Sequence, residues 1–168
     1  MTKFLWFTGL SGSGKTTLAE GLERTLKSRG QKVHIIDGDV VREKFNRHLG
    51  FSPADIEENN RYVIRMCREI PRDIKYVIIS LISPFRRSRE EARNALGKDF
   101  IEIYLNCPYE ECKRRDTKGL YKKAEKGDIK DFIGLHVPYE PPMHPEIEID
   151  TVRDSTKKAL QQIMNYLK

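Results

Sequence analysis

The sequence lacks any apolar run near the roughly 20 residues that a membrane-crossing helix needs. Residues Met1–Phe7 pass straight into a strand pattern, without the charged and apolar zones of a cleavable leader. Both absences predict a cytoplasmic chain with no membrane partner. Cysteine is scarce: Cys67, Cys107 and Cys112 are odd in number and lack the paired spacing of a metal site. A disulfide is unexpected in a reducing compartment, so the three are read as idle or buried thiols. There is no internal repeat, no linker, no long Lys/Arg tail and no repeated basic–aromatic pattern. Nucleic acid is therefore not the expected partner. The net charge of +6 still favours anionic ligands, small phosphorylated ones included. At 168 residues, 38% apolar and 33% charged, the chain suits one domain, 1–168, with a real core.

What is present is concentrated first in Gly9–Thr17, GLSGSGKTT. An apolar run, Phe4–Phe7, precedes it, and a helical pattern of Leu18, Ala19, Leu22 and Leu26 follows. Strand, glycine-rich loop and helix are the setting of a phosphate-binding loop, and the spacing from Gly9 to Gly14-Lys15-Thr16 fits. Gly12 and Gly14 let successive backbone N–H groups turn into one concavity. The helix starting near Lys15 adds the positive end of its dipole. Lys15 supplies a mobile charge to the terminal phosphates, and the Thr16 hydroxyl is placed to ligate Mg²⁺. The pattern specifies a nucleoside triphosphate but not the acceptor.

Strands and helices alternate along the rest, which predicts a parallel sheet covered on both faces. Helices are expected over Lys15–Arg29, Val40–Asn46, from a Ser52 cap to Pro71, over Arg87–Leu96, Pro108–Arg115, and finally from a cap at Asp154 or Ser155. Strands are expected at Val33–Ile36, Tyr76–Ile82, Phe100–Leu105 and Glu146–Ile149. Asp37 and Asp39 follow the second strand, and Ser83 the third. In open α/β sheets ligands gather at such carboxyl ends, so the two carboxylates beside the glycine-rich loop are candidates for Mg²⁺ or proton handling. An Asp-Gly turn is the plainer alternative. Residues 116–146 show little periodicity, which predicts a mobile lid with Leu120, Tyr121, Phe132 and Ile133 to pack it.

These segments resemble the adenylylsulfate kinases, which phosphorylate adenosine 5′-phosphosulfate on its 3′-hydroxyl. The resemblance rests on GLSGSGKTT at 9–17, DGD with Arg42, LGFS at 49–52, Glu58-Asn59 with Arg61, ISPFR at 82–86, RDTKGLYKKAEKGDIKDF at 115–132, and PYEPP at 138–142. It implies an α/β P-loop fold with a five-stranded parallel sheet and a C-terminal lid over about 116–145. It also implies ATP and Mg²⁺ as cofactors, and a homodimer. By resemblance Gly12, Ser13, Gly14, Lys15, Thr16 and Thr17 hold the ATP phosphates, with Arg115 facing ATP. Asp37 organises the metal with Thr16 and accepts the hydroxyl proton. Asp39, Arg42, Phe51, Asn59, Ile82 and Ser83 line the sulfonucleotide pocket, and Lys118 and Phe132 close over its adenine. In some bacterial members the serine matching Ser83 is described as a phosphorylated intermediate. Direct in-line transfer needs only positioning and charge neutralisation.

The chain departs from the family at Val40, Ile56, Asn60, Tyr62, Leu81 and Ile133. Ile56 stands where members commonly carry an arginine that binds the sulfonucleotide, and Arg61 or Arg65, one or two turns on, is the expected substitute. Two other readings share the loop: a kinase for a sugar, shikimate or a nucleotide, and a regulatory or nucleic-acid-binding NTPase. Neither explains KGLYKKA and PYEPP.

Overall fold

The computed structural model describes residues 1–168. Five parallel strands form one sheet: β1 (Lys3–Thr8), β2 (Val33–Asp37), β3 (Tyr76–Ser80), β4 (Phe100–Asn106) and β5 (Ile147–Asp150), in the spatial order β2-β3-β1-β4-β5. Helices α1 (Lys15–Ser28), α2 (Gly38–Lys44), α3 (Pro53–Arg68), α4 (Arg86–Leu96), α5 (Tyr109–Arg115), α6 (Leu120–Glu125) and α7 (Thr156–Tyr166) connect or cover them.

Side-chain alternation along the strands divides the core. Leu5 and Phe7 of β1, with Ile78, Ile101, Ile103 and Leu105, pack under α1 and α7 through Leu18, Leu22, Leu26, Ala159 and Ile163. Trp6, Val77 and Ile79 face the other way, onto Val41 of α2, Val63, Ile64 and Cys67 of α3, and Ala92 of α4. Burial on both sides explains why β3 reads as a continuous apolar run. A third cluster lies beyond the strand ends, where Leu10, Ile56 and Cys112 meet Tyr121, Phe132, Ile133 and Val137. Burial pushes the Cys67 and Cys112 thiols up to about 12, which keeps both protonated and inert at neutral pH.

Element ends differ from the sequence expectation where a local contact decides them. Strand β3 stops at Ser80, not Ile82, because the chain turns out at Ser83, with φ 46. Helix α2 starts at Gly38, two residues early, because the Asp37 carboxylate accepts from the N–H groups of Asp39 and Val40. Ser52 caps α3 and Ser155, not Asp154, caps α7. The segment from 116 was expected to be irregular, yet it contains α6. There Asp116 accepts from the Tyr121 and Lys122 N–H groups, and the Tyr121 hydroxyl donates to the Ser11 carbonyl at 2.8 Å.

Candidate active site

The tips of three adjacent strands carry the site. The loop after β1 is wound by Gly12 (φ 77) and Gly14 (φ 102), conformations that exclude most side chains. A Cβ on Gly12 would stand 3.0 Å from the Cys112 carbonyl, so the loop rests directly on α5. Gly14 is the N-cap of α1 and provides no side-chain cap. The helix N-terminus is thereby left to a ligand. Lys15 folds back here, donating to the Gly9 carbonyl at 2.9 Å and to the Leu10 carbonyl at 2.7 Å. Burial lowers its pKa to about 8, against the opposing pull of Asp39. The Ser13 hydroxyl is buried beneath the loop without a hydrogen-bond partner.

After β2, Asp37 uses Oδ1 to cap α2 and Asp39 forms an ion pair with Lys118 of the segment before α6. Arg42 donates to the Gly50 carbonyl and lays its guanidinium 4.4 Å from the centre of the Phe51 ring. Asn59 accepts from the Asn46 amide at 2.9 Å. After β3 the left-handed bend at Ser83 is clamped from behind. The Thr8 hydroxyl donates to the Ile82 carbonyl at 2.7 Å, and the buried Arg89 donates to the Ser83 carbonyl at 2.6 Å. Arg89 also holds Glu102 at 2.7 Å and the Glu140 carbonyl at 2.5 Å. The Ser83 hydroxyl itself is buried and unpartnered. Arg115 is fixed by Glu111 at 2.8 Å and by the Thr151 carbonyl at 2.8 Å, with the Gly12 carbonyl at 3.4 Å.

These side chains share one cavity of about 530 Å³. Gly12, Gly14, Lys15, Thr16, Thr17, Asp37, Asp39, Arg42, Phe51, Asn59, Ile82, Ser83, Arg115, Lys118 and Phe132 all line it, and Ser13 alone of the expected residues lies behind the wall. Phe132 meets Tyr121 edge-on at 4.9 Å, which packs the chain around residue 132 against α6. The expected substitutes for an arginine at 56 are not there. Arg61 bonds to Glu91 and Glu57, and Arg65 to Glu58, and neither lines the cavity. Helix geometry explains the correction. At 3.6 residues per turn, positions 61 and 65 point about 140° and 180° away from 56.

Twelve further residues line the wall, among them three whose side chains were given no role in the sequence reading. Asn60 interrupts the apolar stripe of α3, and Ile129 and Asp131 lie in the chain after α6. Only Asn60 carried a readable signal, as a polar side chain spaced i+4 from Ile56.

The donor set fits Mg²⁺. The Thr16 hydroxyl and the Asp37 carboxylate, both lining the cavity, are hard oxygen donors of the kind this ion prefers. No group of three or more His, Cys, Asp or Glu side chains is placed to hold a metal on its own. This matches an ion that comes coordinated to phosphates.

A family model for adenylylsulphate kinase matches residues 1–150. The adenylyl-sulfate kinase of Clostridium acetobutylicum is 46% identical over 164 residues, 98% of this chain and 82% of its own. That of Picosynechococcus sp. is 45% identical over 97% of this chain and 92% of its own. The Mycobacterium tuberculosis APS kinase CysC, solved in complex with AMPPNP and APS, has a TM-score of 0.92 at 36% identity and covers 99% of this chain and 97% of its own. With a match this long and relatives this similar, the chain belongs to the adenylylsulphate kinase family.

Proposed function

We propose that this chain is an adenylyl-sulfate kinase, moving the γ-phosphate of ATP to the 3′-hydroxyl of adenosine 5′-phosphosulfate. The products are 3′-phosphoadenosine 5′-phosphosulfate and ADP. The observation that carries the reading is the single cavity, lined together by the glycine-rich loop, Asp37 and the Arg42–Phe51 pair.

The backbone N–H groups of Gly12–Thr17 and the N-terminus of α1 bind the ATP phosphates. Lys15 leaves the Gly9 and Leu10 carbonyls and follows the charge of the terminal phosphate. Thr16 and Asp37 are the residues that would hold Mg²⁺, which when bound would neutralise charge on the transferring phosphoryl group. At the other end Arg42 and Lys118 bind the anionic acceptor, Asp39 and Asn59 orient it, and Phe51 and Phe132 flank its purine. The 3′-hydroxyl oxygen bonds to the γ-phosphorus as the bond to the β–γ bridging oxygen breaks. The hydroxyl proton passes to Asp37 and ADP leaves. Ser83 and Ile82 contact the acceptor from the clamped bend, and Arg115 faces the ATP side. Residues 116–145 close over both ligands and exclude water, so that transfer outruns hydrolysis.

Incubation with ATP, Mg²⁺ and adenosine 5′-phosphosulfate yields the 3′-phosphorylated nucleotide. Turnover with a sugar, shikimate or an unsulfated nucleotide instead, or ATP hydrolysis independent of any acceptor, overturns the assignment. No helix is long and apolar enough to cross a membrane. A cytoplasmic homodimer completes the proposal.

A further inference from the structure

The buried face of α3 carries Ile56, Asn60, Val63, Ile64 and Cys67, spaced i, i+4, i+7, i+8 and i+11. This is the stripe that turns a helix into the core, and apart from Asn60 and the adjacent Asn59 the buried positions of α3 are apolar or a thiol. Asn60 is 2% exposed, and its amide nitrogen Nδ2 has no hydrogen-bond partner. Its neighbour Asn59 does have one, on Asn46. A buried amide donor left unpaired is unfavourable, and an aliphatic side chain would satisfy the same position better. The residue nevertheless lines the cavity, as do Ile56, one helical turn before it on α3, and Leu81 and Ser83 at the end of β3. With no partner holding its nitrogen, the amide can turn about its Cγ bond.

On the acceptor side Arg42 is already engaged by the Gly50 carbonyl and the Phe51 ring and Lys118 by Asp39, whereas the Ser83 hydroxyl is, like the Asn60 amide, unpartnered. We infer that Asn60 is a substrate-binding residue whose amide donates to an anionic oxygen of the acceptor's phosphosulfate group. This inference rests on the proposed acceptor being adenosine 5′-phosphosulfate. Phosphate and sulfate oxygens accept hydrogen bonds and cannot donate them, so the unpaired donor and the ligand are complementary. The contact is formed in ground state and transition state alike, and it therefore acts on KM rather than kcat.

The test compares Asn60→Leu, Asn60→Asp and the unaltered protein in steady-state kinetics and thermal melts. Asn60→Leu is expected to raise the KM for adenosine 5′-phosphosulfate about tenfold, in line with one hydrogen bond to a charged group. Its kcat and its KM for ATP stay unchanged, and its Tm is equal or higher. A residue kept for packing alone would instead lower Tm and leave KM in place. Asn60→Asp puts a carboxylate against the anion and raises that KM further than Leu does. An unchanged KM in Asn60→Leu overturns the inference and leaves the kinase assignment intact, and Asp no worse than Leu overturns the anionic contact. If the unaltered protein does not turn over this acceptor at all, the kinase assignment fails and the role of Asn60 with it.

Discussion

Lys15 is a half-buried cation whose hydrogen-bond partners in the unliganded chain are two carbonyl groups. Its pKa, about 8 against the ordinary 10.5, means that between these values the unfolded chain holds a proton that the folded chain has released. Stability due to this group therefore rises as pH increases from about 8 to 10.5. Urea unfolding of the unaltered protein and Lys15→Met across that window will show the difference between them growing in favour of the unaltered protein; a constant difference contradicts it. Lys15→Ala is expected to abolish phosphoryl transfer while the protein remains folded by circular dichroism. Product formation near the normal kcat would remove the role assigned to the ammonium group.

Between elements, Arg89 is the joint on which the acceptor side depends. One side chain ties α4 to Glu102 on β4, to the bend at Ser83 and to Glu140 of the PYEPP segment. Arg89→Met leaves Glu102 buried beside only Arg93, and is expected to cost about 3–5 kcal/mol in denaturant unfolding. A loss under 1 kcal/mol would mean that solvent already reaches the pair. The lid makes a separate prediction. Proteolysis near Gly119–Gly127 is expected to slow when both nucleotides are bound, and equal cleavage with and without them would count against closure.

At this scale the sequence was readable where burial imposed a period. The strands, the capped start of α3 and the glycine-rich loop all follow from local pattern. Helix α6 spans six residues, too few for a 3.6-residue period to emerge, and a side-chain cap from Asp116 defines it. The Ser83 bend was equally hidden, because Thr8, 74 residues before Ile82, and the buried Arg89 impose it through side-chain bonds to its carbonyls. Arg61 and Arg65 were misjudged by counting turns along α3 instead of angle around it, the same measure that singles out Asn60.

Across the whole molecule, the strand order puts β1, β2 and β3 side by side, so residues 9–17, 37–42 and 82–83 converge without long loops. The same order sets the two core layers back to back behind the site, and the cavity stands on a packed scaffold that does not depend on the ligands for its shape. The proposed homodimer predicts a light-scattering mass of twice 19.6 kDa. A mass equal to one chain rules it out.

The two bonds that Asp37 accepts from its own helix bear on how its chemistry can be tested. Replacing it with alanine would remove the presumed base and also fray the first turn of α2, swinging Asp39 and Arg42 with it. Inactivity in that variant would be ambiguous. Asparagine keeps the oxygen that anchors the turn and discards the negative charge. Asp37→Asn is accordingly the substitution that separates what the charge does, in proton transfer and metal binding, from scaffolding.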